Sequence, residues 1–406
     1  MKKISDNVDL SIELCGLRFE NPFILSSGPP TANCAMIRRA FDIGWAGAVA
    51  KTLVFKPSLV PKPTFARLQF EEKNMIGFKN FELFTERPLE DWLPEIGQTK
   101  RDYPDKIIIA SITAESDAVK WQELARKVQE AGVDAIELNI SCPNTMPGER
   151  MGATIAANPK ATGLVVKWVK EVVDVPVIAK MTPNVTDIAE IAEAAERNGA
   201  DLLSGINTVQ GFIGVDLETM EPKPSINGLS AFGGYSGPAV KPIALRCVAQ
   251  MANATKLPIF GIGGISTWQD AVEFLMVGAS ALQLCTAVMF GGYRIVKGLN
   301  DGLTNYLSEK GFDSVKGIVG HILPKLTQVE RLSTTPKIKY EIDKDKCIRC
   351  DRCYLACRDG GYDAITLDEE GLPTIDEEKC EVCSLCQNVC PVWDCVKMKI
   401  KSPAPR

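Results

Sequence analysis

A single histidine, His321, occurs in 406 residues. Chemistry built on imidazole, such as His-ligated zinc, facial-triad iron or a Ser-His-Asp triad, would have to rest on that one side chain. A basic excess is also missing: 46 Lys and Arg face 51 Asp and Glu, a formal charge of −5, so the electrostatic footprint of a nucleic-acid binder is absent. No apolar run approaches the roughly 18 to 20 charge-free residues of a membrane helix. The N-terminus carries Asp6, Asp9 and Glu13 where a signal peptide needs a continuous apolar stretch. The expectation is a cytoplasmic protein with neither nucleic-acid nor membrane partners. No G-x-G-x-x-G follows a strand and opens a helix, so this chain is not expected to hold a dinucleotide itself.

Cysteine, by contrast, is abundant. Nine of the 14 cysteines lie in the last 60 residues. A disulfide framework is out of place in a long chain in a reducing compartment. A shift of 33 residues superimposes Cys347, Cys350, Cys353 and Cys357 on Cys380, Cys383, Cys386 and Cys390. Each half reads C-x2-C-x2-C-x3-C, the run of two-cluster bacterial ferredoxins, in which the fourth cysteine serves the other cluster. Cys347, Cys350, Cys353 and Cys390 would then hold one [4Fe-4S] cluster, and Cys380, Cys383, Cys386 and Cys357 the other. Zinc sites more often come as separated C-x2-C pairs. Pro391 follows Cys390 whereas Arg358 follows Cys357, a difference that leaves the ligands intact. Cys395 stands outside the run, facing Tyr362 in the 33-residue shift, and reads most simply as a small buried hydrophobe.

Upstream, eight short apolar runs recur: 23–27, 46–52, 107–112, 135–141, 176–181, 202–208, 258–265 and 281–287. Runs without strict alternation suit strands buried on both faces of a parallel sheet. Helical patterns separate them, for example 119–131 closed by Gly132 and 188–198 closed by Gly199. Eight such units predict an α/β protein of the (β/α)8 TIM-barrel class, with a doubly wound open sheet as the alternative. The expected organisation is a barrel over 1–310, a connector over 311–340 containing Pro324 and Pro336, and a ferredoxin-like domain over 341–406.

Barrel chemistry gathers at the C-terminal ends of strands. The seventh run ends in Gly261-Ile262-Gly263-Gly264 and the eighth in Cys285-Thr286, the place where a barrel commonly binds a flavin phosphate. Lys51-Thr52 and Lys180 end the second and fifth runs. A lysine terminating a buried strand needs an anion, such as the N1/O2 edge of a reduced flavin, or a route to solvent. Cys142 follows the fourth run on a Gly- and Pro-rich stretch reaching Gly152, a possible lid. It reads as too exposed for packing to explain, and as a proton donor. Asn80, Asn139, Asn207 and Thr208 are uncharged groups suited to reading the lactam edges of a planar heterocycle.

The segments ELNISCPN, AKMTPNVTD, INTV, GYSGPAVKPIALR and GIGGI resemble the flavin domain of the dihydropyrimidine dehydrogenases, in particular the catalytic subunits of the bacterial NAD-dependent members. Dihydroorotate dehydrogenases are similar in the barrel but lack the cysteine-rich tail. The resemblance implies FMN contacts from Ser26, Ser27, Lys51, Thr52, Lys180, Gly237, Gly263, Gly264, Cys285 and Thr286. It implies a pyrimidine held by Asn80, Asn139, Ser141, Asn207 and Thr208, with Cys142 as the acid and Lys180 stabilising the anionic flavin. It further implies reversible reduction of the C5=C6 bond of uracil or thymine. NADH and FAD would sit on a partner flavoprotein subunit, with this chain a homodimer within a heterotetramer. Animal members carry a histidine where Asn144 stands. Dihydroorotate oxidation and a non-catalytic electron-transfer module remain the alternatives, and the former would require cations for a carboxylate.

Overall fold

The computed structural model describes residues 8–70, 74–144, 152–334 and 338–400. Two compact units divide the chain, Met1–Leu326 and Thr327–Arg406. In the first, eight strands close into a parallel barrel: Phe23–Leu25 (β1), Gly47–Val49 (β2), Ile107–Ile112 (β3), Ala135–Leu138 (β4), Val177–Lys180 (β5), Leu202–Gly205 (β6), Ile259–Ile262 (β7) and Ala281–Leu284 (β8). Each falls within one of the eight apolar runs. Pairing of Leu282 with Phe23, Gln283 with Ile24 and Leu284 with Leu25 completes the circle, which excludes the open sheet.

Helices form where capping chemistry starts them. Asp117 accepts from the Val119 amide at 2.9 Å to open Ala118–Glu130, and Asp187 accepts from the Ala189 amide at 2.9 Å to open Ile188–Arg197. Such side-chain oxygens satisfy amides that have no partner inside the helix. Gly132 and Gly199, at φ +92° and +95°, take the left-handed turn that follows each helix.

Side chains alternate across each strand, and this rule fixes where the site lies. Ile24, Val49, Ile109, Ala135, Ile178, Leu202, Phe260 and Ala281 point inward and form one apolar layer. The neighbours of these residues in the strands, such as Ile108, Ile136, Ala179, Leu203 and Leu282, pack in the outer core with the helices. Two residues further along each strand come Ser26, Lys51, Ser111, Glu137, Lys180, Ser204, Ile262 and Gln283. Seven of these eight are polar, so the barrel turns from oil to polar floor within one layer.

Two additions to the barrel were not evident from periodicity. A hairpin, Ile12–Leu14 with Leu17–Phe19, joins the inner apolar layer, and Phe19 meets the Phe260 ring edge-on at 6.0 Å. A four-stranded antiparallel sheet, in the order Val209–Gly211, Gly233–Ser236, Asn74–Asn80, Phe65–Phe70, is assembled from the segments that follow β2 and β6. Its strands come from distant parts of the chain, and Asn80 ends one of them. Residues 311–326 pack with the barrel unit, where the Gly320 and Ile322 amides donate to Leu275 and Met276.

The second unit is internally symmetric. Shifting by 33 residues carries the start of helix Arg352–Asp359 onto that of Leu385–Val389. Left-handed Arg349 and Asp351 fall on left-handed Val382 and Ser384. Two antiparallel pairs, Ile338–Ile342 with Val396–Ile400 and Ile365–Leu367 with Pro373–Ile375, complete it. Among the described residues no helix is long and apolar enough to cross a membrane.

Gly261 in β7 lets the outer layer approach: a Cβ there would lie 2.8 Å from the Phe274 ring and 2.9 Å from the Ala279 Cβ. Gly261→Ala should therefore overpack the barrel and lower stability by about 1 to 3 kcal/mol. Denaturant unfolding followed by tryptophan fluorescence checks this.

Candidate functional site

A cavity of about 340 Å³ opens at the C-terminal end of the barrel. Its floor is the polar layer. Lys180 Nζ lies 3.2 Å from Glu137 Oε1 and 3.4 Å from Gln283 Oε1. Ser204 Oγ donates to Glu137 Oε2 at 2.8 Å, and Gln283 Nε2 does so at 3.0 Å. All four side chains are buried. Lys51 is buried as well, and its ammonium is paired with Glu82. Both strand-terminal lysines thus meet protein carboxylates and neither reaches for solvent. Their burial by itself is therefore no argument for an anionic ligand.

On the wall, amides and hydroxyls are chained together. Asn139 Nδ2 donates to Thr52 Oγ1 at 2.9 Å, and Thr52 shares a 2.9 Å bond with Ser111. Asn207 Nδ2 reaches Asn139 Oδ1 at 3.2 Å and Ser141 Oγ at 2.9 Å, while Asn207 Oδ1 accepts from the Thr208 amide. Asn80 Nδ2 donates to Gly234 O at 3.2 Å, and its Oδ1 accepts from the Glu82 amide at 3.1 Å. The result is a preset row of uncharged donors and acceptors, which limits rotamer freedom before any ligand arrives.

The far end is glycine-rich. Gly263 and Gly264 follow β7 at φ +127° and +81°. A Cβ would meet Ala244 Cβ at 2.7 Å at the first, and Lys241 Cβ and amide nitrogen at 2.9 Å at the second. Only glycine lets the backbone approach here so closely. Ser236 and Thr286 share a 2.8 Å hydroxyl bond beside it. Bare glycine backbone and hydroxyls suit a phosphate, and the amide-lined interior suits a planar ring system, so these residues fit a flavin nucleotide. Burial pushes the nearby Cys285 thiol up to about 11, Lys51 being the largest opposing influence.

The fold brings together every residue expected here except one. Ser26, Ser27, Lys51, Thr52, Lys180, Gly237, Gly263, Gly264, Cys285 and Thr286 line the same cavity as Asn80, Asn139, Asn207, Thr208 and Cys142. Ser141 is fully buried, does not line it, and supports Asn207 instead. Cys142 was expected to be exposed; it is buried, packed with Val54 and Phe84. Burial raises its thiol pKa, against the lowering effect of the Asn144 amide. Residues 145–151 of the expected lid lie outside the described residues.

Several lining residues escaped the sequence reading. Glu137 and Gln283 sit inside apolar strand runs, and a charged or amide residue in such a run is the signal that could have flagged them. Glu82 and Asn144 gave no such signal. Asn144 Nδ2 donates to Glu82 O at 2.7 Å, and its Oδ1 accepts from the Gly234 amide at 3.1 Å, tying the end of the Cys142 segment to the antiparallel sheet.

In the second unit two small cavities divide the eight run cysteines. One is lined by Cys347, Cys350, Cys353 and Cys390, together with Cys395. The other is lined by Cys357, Cys380, Cys383 and Cys386. Each set combines three cysteines of one run with the fourth of the other, the crossing that a two-cluster ferredoxin requires. Among the described residues no three His, Cys, Asp or Glu groups converge on one metal ion, whereas a cubane takes one thiolate at each corner. The donor sets fit iron-sulfur clusters.

Comparison with known proteins gives a consistent result. Residues 9–307 match the dihydroorotate dehydrogenase family and 340–398 match a 4Fe-4S dicluster domain. The chain is 45% identical over 395 residues to the NAD-dependent dihydropyrimidine dehydrogenase subunit PreA of Escherichia coli (strain K12), covering 96% of this chain and 95% of the relative. It is 43% identical over 312 residues to the catalytic subunit of dihydroorotate dehydrogenase B (NAD(+)) of Pyrococcus abyssi (strain GE5 / Orsay), covering 77% of this chain and 98% of that one. A crystal structure of DHODH from Eimeria tenella in complex with ferulenol superposes with a TM-score of 0.66 at 22% identity, covering 78% of this chain and 89% of the other, a likeness of fold.

The floor makes its own prediction. Glu137→Gln would leave the Lys180 ammonium buried without its carboxylate, and breaking such a pair from one side typically destabilises by about 3 to 5 kcal/mol. Adding Lys180→Met should recover part of that loss. Urea unfolding of the single and double variants tests the pair.

Proposed function

The chain belongs to the dihydroorotate dehydrogenase family and, within it, to the dihydropyrimidine dehydrogenases, and on that premise we propose that it reduces the C5=C6 bond of uracil or thymine, reversibly. FMN would occupy the barrel cavity and two [4Fe-4S] clusters the second unit. Electrons would come from NADH through FAD on a partner flavoprotein subunit. The observation that carries this reading is electrostatic. Among the described residues, both lysines lining the cavity are already paired, with Glu82 and Glu137, and the remaining polar side chains of the lining are amides, hydroxyls and thiols. A neutral lactam can exchange its water hydrogen bonds for these groups, whereas a carboxylate would lose hydration and meet no free cation among the described lining residues.

When bound, the flavin supplies the hydride. Everything else falls to this chain. Asn80, Asn139, Asn207 and Thr208 would hold the N–H and C=O edges of the ring, with Ser141 fixing the Asn207 amide. Ser26, Ser27, Lys51, Thr52, Lys180, Gly237, Gly263, Gly264, Cys285 and Thr286 would hold the flavin nucleotide. Lys180 would stand at the floor, held in place by Glu137. Cys142 would donate the proton to C5. Its burial keeps the thiol protonated through neutral pH, the state a general acid needs.

Cys142→Ala should keep flavin and uracil binding but lose about 10²- to 10⁴-fold in turnover. Because the thiol pKa is raised, wild-type turnover should hold through neutral pH and fall only on the alkaline side. Wild-type-like turnover in the Ala variant would sink the assignment.

Leaving one amide partner of the ring unmatched should cost about 1 to 3 kcal/mol, so Asn207→Ala should weaken uracil binding by about one to two orders of magnitude. Orotate should bind wild type more weakly than uracil does. Titrations followed through the flavin spectrum decide between pyrimidine reduction and dihydroorotate oxidation; tighter orotate binding would favour the latter.

The purified chain, reduced by dithionite, should reduce uracil, yet NADH alone should not drive it, since no dinucleotide fingerprint is present. Anaerobic turnover with each reductant measures this, and bleaching of bound flavin by NADH would refute it.

A further inference from the structure

Lys51, Lys79 and Lys180 are the lysines buried among the described residues. Lys51 and Lys180 meet carboxylates; among the described residues Lys79 pairs with none. It is 0% exposed and sits one residue before Asn80 in the strand Asn74–Asn80. Successive side chains of a strand point to opposite faces. Phe78 and Asn80 line the cavity, and Lys79, between them, is directed to the back of the antiparallel sheet.

What holds the ammonium there comes mostly from one stretch of chain, residues 212–232, which runs between the strands Val209–Gly211 and Gly233–Ser236. Lys79 Nζ donates to Ala231 O at 2.6 Å, and Ser230 Oγ and Lys223 O lie farther off at 3.4 and 3.5 Å. The Phe212 ring centroid is 5.4 Å away, and Phe81, two residues along from Lys79, presents its ring at 4.3 Å. Carbonyl oxygens and ring faces are the partners left to a buried ammonium without a carboxylate, and stripping it of them would be costly. Leu217, Met220, Leu229 and Phe232 lie exposed, so apolar packing does little to hold this stretch in place.

The same stretch leads into the backbone that sets the cavity's amides. Gly233 and Gly234 follow it at once. A Cβ on Gly233 would lie 2.6 Å from Asn80 O and 3.3 Å from Lys79 Cε, and one on Gly234 would collide with Thr208 Oγ1 and lie 3.0 Å from Asn80 Nδ2. Gly234 O accepts from Asn80 Nδ2 at 3.2 Å, and the Gly234 amide donates to Asn144 Oδ1 at 3.1 Å. The place of Gly234 therefore decides how Asn80 is aimed, and it depends on where residues 230 and 231 are held.

We propose that Lys79 is a positioning residue for the pyrimidine site: its ammonium pins residues 212–232 to the back of the antiparallel sheet, and through Gly234 this aims the Asn80 amide into the cavity. The inference rests on the pyrimidine reading above. Lys79 thus governs how tightly a neutral lactam ring is held, without touching the ring or the flavin.

The test uses the flavin-loaded full chain and uracil, with binding followed through the flavin spectrum. Lys79→Met keeps the length of the side chain but removes its charge and its donors. It should weaken uracil binding about tenfold, the worth of one well-placed hydrogen bond, with flavin content unchanged. Because the effect runs through Asn80, it should largely vanish when Asn80→Ala is already present. A residue that only supported the fold would weaken binding equally in both backgrounds, and such additivity would overturn the proposal. So would wild-type uracil affinity in Lys79→Met. Should Lys79→Met not yield folded, flavin-loaded protein, Phe212→Leu, at a half-exposed position, carries the same cycle. It should weaken uracil binding about two- to fivefold with Asn80 present and not in its absence, and an unchanged affinity would overturn the proposal. A flavin-loaded wild type that binds no uracil would instead overturn the pyrimidine reading, and this inference with it.

Discussion

The buried ion pair between Lys180 and Glu137 is the constraint around which the barrel unit is arranged. A lone ammonium inside a barrel is prohibitive, and a pair is tolerable only when the remaining lone pairs and protons find partners. Ser204 and Gln283 provide them. These groups come from β4, β5, β6 and β8, so the network exists only if the strands close in the observed register. A one-residue slip of any of them would turn its polar member outward into the helix layer. The apolar layer beneath, sealed by Phe19 against Phe260, removes water from one side. The polar cavity is thus a consequence of how the core is layered.

The same alternation explains what sequence made legible. Eight apolar runs marked eight strands because parallel strands covered on both faces must be apolar nearly throughout, and Gly132 and Gly199 marked helix ends because few other residues adopt the left-handed turn. The cysteine run was legible through its repeat, which carries spacing and symmetry together. Strand ends then pointed to Lys51, Thr52, Lys180, Asn139, Asn207 and the glycines at 263 and 264.

What escaped did so for physical reasons. The antiparallel sheet bearing Asn80 pairs segments more than a hundred residues apart, as in Gly234 with Asn80, and no local period records such a partnership. Lysines at strand ends suggested an external anion because the acids that meet them lie elsewhere in the chain, Glu82 beyond a hairpin and Glu137 in another strand. Exposure of Cys142 was inferred from the glycine- and proline-rich residues after it, but burial of a loop residue depends on what folds over it, here Val54 and Phe84.

Overall identity does not separate pyrimidine reduction from dihydroorotate oxidation, since the relatives carrying those two names are 45% identical over 395 residues and 43% identical over 312 residues of this chain. Two physical differences do more. The dihydroorotate dehydrogenase family match ends at residue 307 and the Pyrococcus abyssi relative is matched over 98% of its length by 312 residues here, whereas the match to the Escherichia coli subunit covers 96% of this chain and so takes in the cysteine-rich unit. The second difference is charge bookkeeping within the cavity. With Lys51 and Lys180, the cations among the described lining residues, each committed to a carboxylate, an anionic substrate seeking either would have to displace Glu82 or Glu137, whereas a neutral lactam asks nothing of either pair. A row of amides held in place by one another accepts such a ring with little reorganisation. Selectivity in this reading therefore arises from charges that are already satisfied, and the amides decide only how the ring is oriented above them.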